Sequence, residues 1–493
     1  MARTDNGSGQ VTRMDRGGDT ALMAEQEQVP PESMLVAMEG VPAASMEDVP
    51  VGRRVFALAW PVIGENLLET LLGIVDTLLV AALGTAAIAG VGSAQQIMFF
   101  LLAALSGLSV GSSILVAQAV GARDLGHASR LARQSILWSL ILSVPLALLG
   151  IGLSGPIIGI FGMAPDVARI GADYVRVTMG TVVVLVALVI GGGALRGAGD
   201  SRTPMMVTGI ANVVNVALAY GLIYGHFGLP ALGAVGSAWA TFLARSLALL
   251  LLVRALWSGR NGVGIAGRGG WLPDWSVAKR VLTLGIPASI EQIVMSTAFL
   301  VLTILVAHLG TDTLAAQRIS MSALSFSFLP GVGFSIAATA LVGQSIGARR
   351  PRDGASVARV ATIWAVLWMS GIGVLLLVFA TPIMRLFTSD PAVVRIGAAA
   401  LRVVALTQPT WAIGLVQSGA LRGTGDTRFP LIMSAAGIWS AVLLAWLALR
   451  LVGGGLPAVW ATFLVSSPVT SFLTWRRLRN RVRDLECEML PYP

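Results

Sequence analysis

Long apolar runs separated by short polar clusters that contain arginine form the main pattern of this 493-residue chain. The runs are continuous in Leu, Ala, Val and Gly rather than alternating, so they predict helices and not barrel strands. Each run is long enough for the ~18 residues that a helix needs to cross a bilayer. The twelve runs lie at about 55–82, 88–118, 132–154, 168–194, 204–225, 232–257, 280–308, 313–344, 358–380, 393–420, 429–452 and 457–475.

The second half of the chain repeats the first half at a fixed distance. The segment GALRGAGDSRTP at 193–204 returns as GALRGTGDTRFP at 419–430, which is 226 positions later. The same distance separates three further pairs: Pro61 and Pro287, Glu65 and Glu291, Gln118 and Gln344. A constant distance indicates a duplicated unit. Six helices per unit give both units the same orientation, related by a pseudo-two-fold axis along the membrane normal.

We therefore expect an all-α integral membrane protein of two six-helix lobes. A polar stretch at 1–50 lacks the apolar core of a signal peptide and is expected to be a disordered cytoplasmic tail. The N-terminal lobe is expected at 51–257, a cytoplasmic linker at 258–278, the C-terminal lobe at 279–475 and a basic cytoplasmic tail at 476–493.

Arginines indicate the orientation in the membrane. Most of them lie at the helix ends that share a side with both termini, whereas the loops near Gly84 and Gly310 on the opposite side carry none. Because positive residues favour the cytoplasmic side, both termini are expected there, in a multi-pass protein of the inner (plasma) membrane. Four arginines depart from this bias: Arg169, Arg176, Arg385 and Arg395.

Composition narrows the functional classes. Hydrophobic residues make up 55% of the chain and charged residues 12%, about half the charge of an ordinary soluble domain. The net charge of +9 comes from residues that flank apolar segments, so no nucleic-acid partner is expected. Cys487 is the only cysteine, which excludes disulfides within the chain. No catalytic or metal-binding motif stands out. We expect a monomer that is not an enzyme and has no cofactor or resident metal.

Asp76 is the most informative residue, because it lies deep in the first apolar run. A charge at that depth costs at least ~2.5–3.5 kcal/mol and indicates function by default. Its mate in the second repeat is Leu302, so an ion site is expected in the N-terminal lobe only. Glu65 and Glu69 fall on nearly the same helix face as Asp76. Glu65 and Glu69 either belong to the ion site or line a water-filled vestibule near the end of the first helix that faces water.

Other polar residues within the apolar runs are candidates for lining a substrate path. Glu291 is either a substrate or coupling group or part of a proline-associated kink. The amides of Asn212, Gln95 and Gln408 either line a cavity or join helices by hydrogen bonds. The two Arg-Gly-x-Gly-Asp-[Ser/Thr]-Arg loops look like anion cradles, but tight glycine turns with Thr203 capping the next helix explain them better.

Together these features resemble the multidrug and toxic compound extrusion (MATE) family, over about residues 50–480. The resemblance rests on the paired Leu-Arg-Gly-x-Gly-Asp loops, on Trp60-Pro61 with the sequence that leads to Asp76, and on Gln408-Pro409. It looks closer to the DNA-damage-inducible branch of the family. A V-shaped, two-lobed fold of twelve helices is what this resemblance implies.

The resemblance also implies the members of an ion site in the N-terminal lobe. The family's helix-1 aspartate corresponds to Asp76, and two further polar members correspond to Asn215 and Thr241. A sodium ion at Asp76 is one option and a proton is the other. The chain departs from the family at one position, because the aspartate expected four residues after Asn215 is Ala219.

A secondary active multidrug exporter is the implied function. It would exchange organic, mostly cationic and lipophilic compounds for protons or sodium ions by alternating access. One alternative is a flippase for lipid-linked or polysaccharide precursors from the same superfamily, which would need basic residues to face phosphates. Most arginines lie at the expected cytoplasmic helix ends instead, and Arg318, within the eighth run, is an exception. A membrane-embedded enzyme or receptor is a third class, but no catalytic constellation or soluble sensor domain is visible.

Overall fold

Helices, joined by short connections, are the regular secondary structure in the part of the chain that the structure describes. This structure is a computed structural model, and it describes residues 49–259, 262–267, 269–451 and 453–489. The tail expected at 1–50 lies outside the described residues except for its last two positions.

Eight helices belong to the first repeat and eight to the second. Those of the first repeat are α1 (Val51–Ala81), α2 (Thr85–Gly121), α3 (Leu125–Gly152), α4 (Ser154–Gly159), α5 (Pro165–Gly180), α6 (Val182–Ala198), α7 (Arg202–Tyr224) and α8 (Ala234–Ser258). Those of the second repeat are α9 (Trp275–Ala307), α10 (Thr311–Gly347), α11 (Pro351–Val378), α12 (Ala380–Phe387), α13 (Pro391–Gly423), α14 (Arg428–Leu451), α15 (Leu456–Ala461) and α16 (Phe463–Met489).

The expected twelve spans are confirmed within the described ranges. Eleven single spans there are long and apolar enough to cross a membrane, with α15 and α16 counted as one. The helices α5 and α6, bent by 51° at their junction, make a twelfth span. The break falls inside the run at 168–194 that was expected to be one helix. Thr181 lies at the break, where its hydroxyl donates to the carbonyl of Thr178 at 2.9 Å and competes with the helical ladder.

Two other local expectations differ from the structure. Thr203 does not cap α7; instead the carboxylate of Asp200 accepts a hydrogen bond from the backbone N–H of Thr203 at 3.0 Å. Asp426 does the same for Phe429 in the second repeat, at 3.1 Å. A carboxylate before the helix reaches the free N–H groups of the first turn better than a hydroxyl inside it. Furthermore, α16 continues past the end of its apolar run at 475, because arginine and leucine are good helix formers outside the membrane as well.

The buried cores show where the two repeats meet. We call the end of the bundle where α1 begins and α8 ends the linker side, and the opposite end the far side. On the far side, one apolar core consists of residues between Val80 and Ala240, all from the first repeat. A separate core consists of residues between Ala298 and Phe463, all from the second repeat. On the linker side the cores are mixed, as where Val55 packs with residues of α10, α11 and α13. The lobes therefore join on the linker side and part on the far side.

Glycines allow the lobes to approach backbone to backbone on the linker side. A Cβ at Gly107 of α2 would overlap the backbone of Gly285 and Ser289 of α9. The Ser289 hydroxyl donates to the carbonyl of Ala104 at the same contact. Its pseudo-symmetric counterpart brings Gly333 of α10 against α1. Only a residue without a side chain fits where two helix backbones are this close.

A second linker-side contact is reciprocal between the repeats. A Cβ at Gly121 would overlap the backbone of Gln344, and one at Gly347 would overlap the backbone of Gln118. The amide of Gln118 donates to the carbonyl of Gly423 at 3.2 Å, and the amide of Gln344 donates to that of Gly197 at 3.0 Å. Each bond crosses from one lobe to the other, so the pseudo-two-fold axis passes through this contact.

The connection between α8 and α9 is docked onto α3. Gln134 donates to the carbonyls of Gly270 and Leu272, both at 2.7 Å, and accepts from the N–H of Asp274 at 2.9 Å. Arg130 pairs with the Asp274 carboxylate at 2.7 Å. Hydrogen bonds from the Ser276 side chain and backbone, together with Arg130, hold the pKa of Asp274 below its ordinary value, so this carboxylate stays ionised at neutral pH.

We expect Gly107→Ala to destabilise the described arrangement of the lobes by about 1–3 kcal/mol, because the new methyl group meets backbone that cannot move aside. Gly92→Ala is the matched control on the same helix, since a Cβ there meets no atom within 4 Å. The measurement is the midpoint of thermal unfolding in detergent, which should fall for the first variant and stay or rise for the second. Equal midpoints would contradict the close approach.

Candidate functional site

Asp76 lies inside the first lobe, five residues before the end of α1. Its side chain is buried, with 8% of the residue surface exposed. Ser237 of α8 donates to one carboxylate oxygen at 2.5 Å, and the amide of Gln95 of α2 donates to the other at 3.3 Å. Both oxygens of this carboxylate are therefore held by neutral donors from two other helices.

Tyr174 of α5 completes the surroundings of Asp76. It is buried, and its phenol lies against Ser237 and Gln95 and within electrostatic range of Asp76. Sequence reasoning missed both Tyr174 and Ser237. A serine or a tyrosine in an apolar run carries little signal by itself, because either one can be satisfied by its own helix or by the interface.

Asn215 and Thr241 lie in contact with each other, one turn below Ser237 along α8. The amide of Asn215 donates to the hydroxyl of Thr241 at 3.1 Å, which joins α7 to α8. Ala219, one turn further along α7, is fully buried in the far-side core of this lobe. At the position where the family pattern has a second carboxylate, this chain therefore has apolar packing.

Asn212 takes a different role from Asn215. Its amide donates to the backbone carbonyl of Leu68 at 2.8 Å, which joins α7 to α1. Leu68 directly precedes Glu69 and lies about two helical turns before Asp76. Asn212 thus sets the position of the acidic helix and does not contact Asp76 itself.

Arg245 is a basic residue near this site that sequence reasoning missed. It lies on α8 on the same face as Ser237 and Thr241, eight residues after the serine. The helices α1 and α8 run in opposite directions, and Ser237 of α8 contacts Asp76 of α1. Arg245 lies eight residues after Ser237, and Glu69 lies seven residues before Asp76, so Arg245 and Glu69 lie at about the same depth. Arg245 is within electrostatic range of both carboxylates. Its position near the middle of the apolar run at 232–257 could have indicated a functional residue, because a charge at that depth is costly.

Glu65 and Glu69 lie in different surroundings although they share a helix face. Glu65 forms an ion pair with Arg196 of α6 at 3.0 Å, and both side chains are about 15% exposed. Glu69 is exposed, yet Glu65, Arg245 and Arg196 all lie within its electrostatic range. Glu69 is therefore an accessible carboxylate among charged groups, whereas Glu65 is held in a largely buried ion pair.

The second lobe repeats the ion pair and lacks the deep carboxylate. Glu291 pairs with Arg422 at 2.7 Å and accepts from the hydroxyl of Ser434 at 2.7 Å. Leu302, the mate of Asp76, is buried in the apolar far-side core. Gln408 accepts from Ser327 at 2.7 Å. Glu291 and Gln408 therefore belong to the second lobe and are not brought together with Asp76.

The charges that face this part of the first lobe do not cancel. The carboxylates are Glu65, Glu69 and Asp76, and the guanidiniums are Arg196 and Arg245. With all five ionised, one negative charge is left over. In the described residues, no group of three or more His, Cys, Asp or Glu side chains converges as a metal cluster would. A net charge of −1 attracts a proton or another cation.

Comparison with known proteins supports this description of the chain. The MatE family model matches residues 61–221 and 287–447, one match in each repeat. A "Probable multidrug resistance protein NorM" of Thermotoga maritima is 33% identical over 417 residues, covering 84% of this chain and 89% of that protein.

Solved structures agree in fold. A MOP superfamily transporter from Pyrococcus furiosus superposes with a TM-score of 0.81 at 24% identity, covering 88% of this chain and 97% of the other. A multidrug resistance MATE family transporter solved in an outward-facing conformation gives 0.82 at the same identity and coverage. With the family model matched in both repeats, a relative above 30% identity and the shared fold, the chain belongs to the MATE family of membrane transporters, and it is not an enzyme.

Proposed function

We propose that the protein is a multidrug exporter that exchanges lipophilic organic cations for protons, with Asp76 as the group that both passengers share. One observation carries the proposal: a single deep carboxylate, held by neutral donors, in a group of three carboxylates and two guanidiniums that has one negative charge in excess. The relative from Thermotoga maritima is named as a probable multidrug resistance protein, which agrees with this reading.

The orientation follows from the arginines. The linker side has the start of α1, the end of α16 and most of the basic helix ends, so we assign the linker side to the cytoplasm. The lobes join on that side and part on the far side. The described state then faces outward, and export requires a second state in which the far-side halves meet and the linker side opens.

One excess charge sets the stoichiometry of the exchange. Asp76 without a proton attracts a cation, and Asp76 with a proton releases it, so the two occupants exclude each other. Moving one cation outward against the membrane potential costs ~2.3 kcal/mol per 100 mV. Exchange for one proton cancels this electrical cost and leaves the pH gradient as the driving force.

The small number of oxygen ligands around Asp76 favours a proton over a sodium ion. Sodium needs several oxygen ligands around one point, whereas the hydrogen-bond partners of the carboxylate offer one hydroxyl, that of Ser237, and one amide, that of Gln95. Ala219 supplies no second carboxylate. Separate proton and sodium gradients across proteoliposomes discriminate the two ions directly.

The flippase alternative predicts the opposite substrate charge. A phosphate-bearing substrate would need guanidiniums that are free to meet it. In this structure Arg196 and Arg422, which are largely buried, are already paired with Glu65 and Glu291. Transport of anionic lipid phosphates and no cationic dye would move the assignment to the flippase class.

We expect Asp76→Asn to abolish dye efflux driven by a proton gradient, because the variant keeps the hydrogen-bonding shape of the site and loses the titratable charge. The measurement is efflux of an ethidium-like cation from proteoliposomes, with purified protein checked for unchanged unfolding. Asp312→Asn, an exposed aspartate at the start of α10, is the matched control and should transport normally. Normal efflux by the Asp76 variant would end this proposal.

We expect the summed charge of Glu65, Glu69, Asp76, Arg196 and Arg245, rather than any single one of them, to set cation affinity. Glu69→Gln removes the excess charge and should weaken dye binding about tenfold, since a unit charge ~10 Å away contributes about 1.7 kcal/mol at the effective dielectric of a protein. Arg245→Gln adds to the excess and should tighten binding and slow release. The double variant restores an excess of one.

Equilibrium dye binding and pH-dependent release test this series. Charge compensation predicts that the double variant binds close to the wild type. A double variant that binds the dye as weakly as Glu69→Gln alone, or more weakly, would show that Glu69 and Arg245 act through shape and not through charge.

We expect the single cysteine to report the topology. Cys487 is exposed near the end of α16, so a membrane-impermeant maleimide should label it in inverted vesicles and not in intact cells. The control is Thr311→Cys in a Cys487→Ser background, which places the only thiol on the far side and should give the reverse pattern. Labelling of Cys487 in intact cells would contradict cytoplasmic termini.

A further inference from the structure

A cationic cavity lies on the far side of the second lobe, away from Asp76. It has a volume of about 660 Å³ and lies between α12 and the first turns of α13. Three arginines line it together with hydroxyl groups, and no carboxylate is among its lining residues in the described chain. The guanidinium of Arg402 reaches the hydroxyl of Thr381 at 3.5 Å. The arginines and hydroxyls are Arg385, Arg395, Arg402, Thr381, Thr388 and Ser389.

The equivalent segment of the first repeat does not have this excess of positive charge. The segment GIFGMAPDVARIGADYVR at 159–176 aligns without gaps with RLFTSDPAVVRIGAAALR at 385–402. The first segment has two arginines and two aspartates, and Arg176 is paired with Asp173 at 2.8 Å. The second has three arginines and one aspartate, Asp390, whose carboxylate caps α13 by accepting from the N–H of Ala392 at 2.8 Å. The net charge thus changes from zero to +2 between repeats that otherwise share their fold.

These arginines lie where the cytoplasmic bias of basic residues should exclude them. Arg402 is eleven residues into α13, which places its backbone about 16 Å below the start of that helix. A guanidinium at that depth in the outer half of the membrane needs an anion or a path to the headgroups. The side chains of Arg385, Arg395 and Arg402 are exposed and line one space, so they can reach the same anion.

Apolar side chains adjoin the cavity on the same short helix. Leu386 and Phe387 follow Arg385 in α12 and are 84% and 52% exposed, and Phe379 before the helix is 49% exposed. A helix with charge on one face and exposed large apolar groups on the other lies at a membrane interface. A free phosphate ion would use only the arginines, whereas a phospholipid would use both surfaces.

We propose that this cavity binds the phosphate of an anionic phospholipid from the far-side leaflet, with the acyl chains along the exposed face of α12. The three arginines supply charge-assisted and bidentate hydrogen bonds to the phosphate oxygens, and the hydroxyls of Thr388 and Ser389 add neutral donors. The second lobe then holds a lipid at its outer edge that the first lobe does not hold.

The test uses the full-length protein in detergent with added lipid. Native mass spectrometry and thermal unfolding are measured with phosphatidylglycerol, phosphatidylcholine and free glycerol phosphate. The variant is Arg395→Gln with Arg402→Gln. Its matched control is Arg169→Gln with Arg176→Gln, the same two changes at the repeat mates. All four side chains are exposed, so both proteins should fold.

We expect the wild type and the control to retain one phosphatidylglycerol in preference to phosphatidylcholine. The Arg395/Arg402 variant should bind it at least tenfold more weakly, because each charge-assisted bond lost corresponds to about a factor of ten. Equal retention by all three proteins, or an equal loss in the control, would overturn the site. A stabilisation by glycerol phosphate as large as that by the lipid would overturn the assignment to a lipid.

Discussion

The close approach of the lobes on the linker side is the contact on which the rest of the structure depends. Helix backbones meet at Gly107 with Gly285 and again at Gly121 with Gln344. Lipid offers little hydrophobic drive for helices to associate, so van der Waals contact between backbones and a few hydrogen bonds must hold the lobes together. Because that contact is confined to one side, the far-side halves can keep separate cores.

The large features of the fold could be predicted because they follow from the membrane itself. A bilayer demands helices of a minimum length, and the 226-residue repeat distance fixed their number and orientation. The break at Thr181 could not be predicted, since the composition of the run does not change there. It depends on which backbone carbonyl a hydroxyl can reach, and this is a property of the packed structure.

The site was predictable in part for the same reason. A carboxylate as deep as Asp76 is visible in one sequence because its cost is large. Ser237 and Tyr174 become recognisable only when α5 and α8 are placed beside α1. Arg245 was visible in principle, but its meaning depends on depth: only the antiparallel register of α1 and α8 shows that it lies opposite Glu69. The duplicated scaffold is kept in both lobes as the pairs Glu65–Arg196 and Glu291–Arg422, while the deep carboxylate Asp76 and the cationic cavity, among the described residues, have no counterpart in the other lobe.

The docked connection between the lobes has a mechanical consequence. Gln134 and Arg130 fasten residues 270–274 to α3, so the second lobe's first helix starts from a point fixed on the first lobe. An elevator-type displacement, in which one lobe slides along the membrane normal past the other, would have to break all of these bonds together. Rotation about that point would break none of them. The anchored end of α9 is therefore a fixed point on the linker side, about which the second lobe can rotate with these bonds intact.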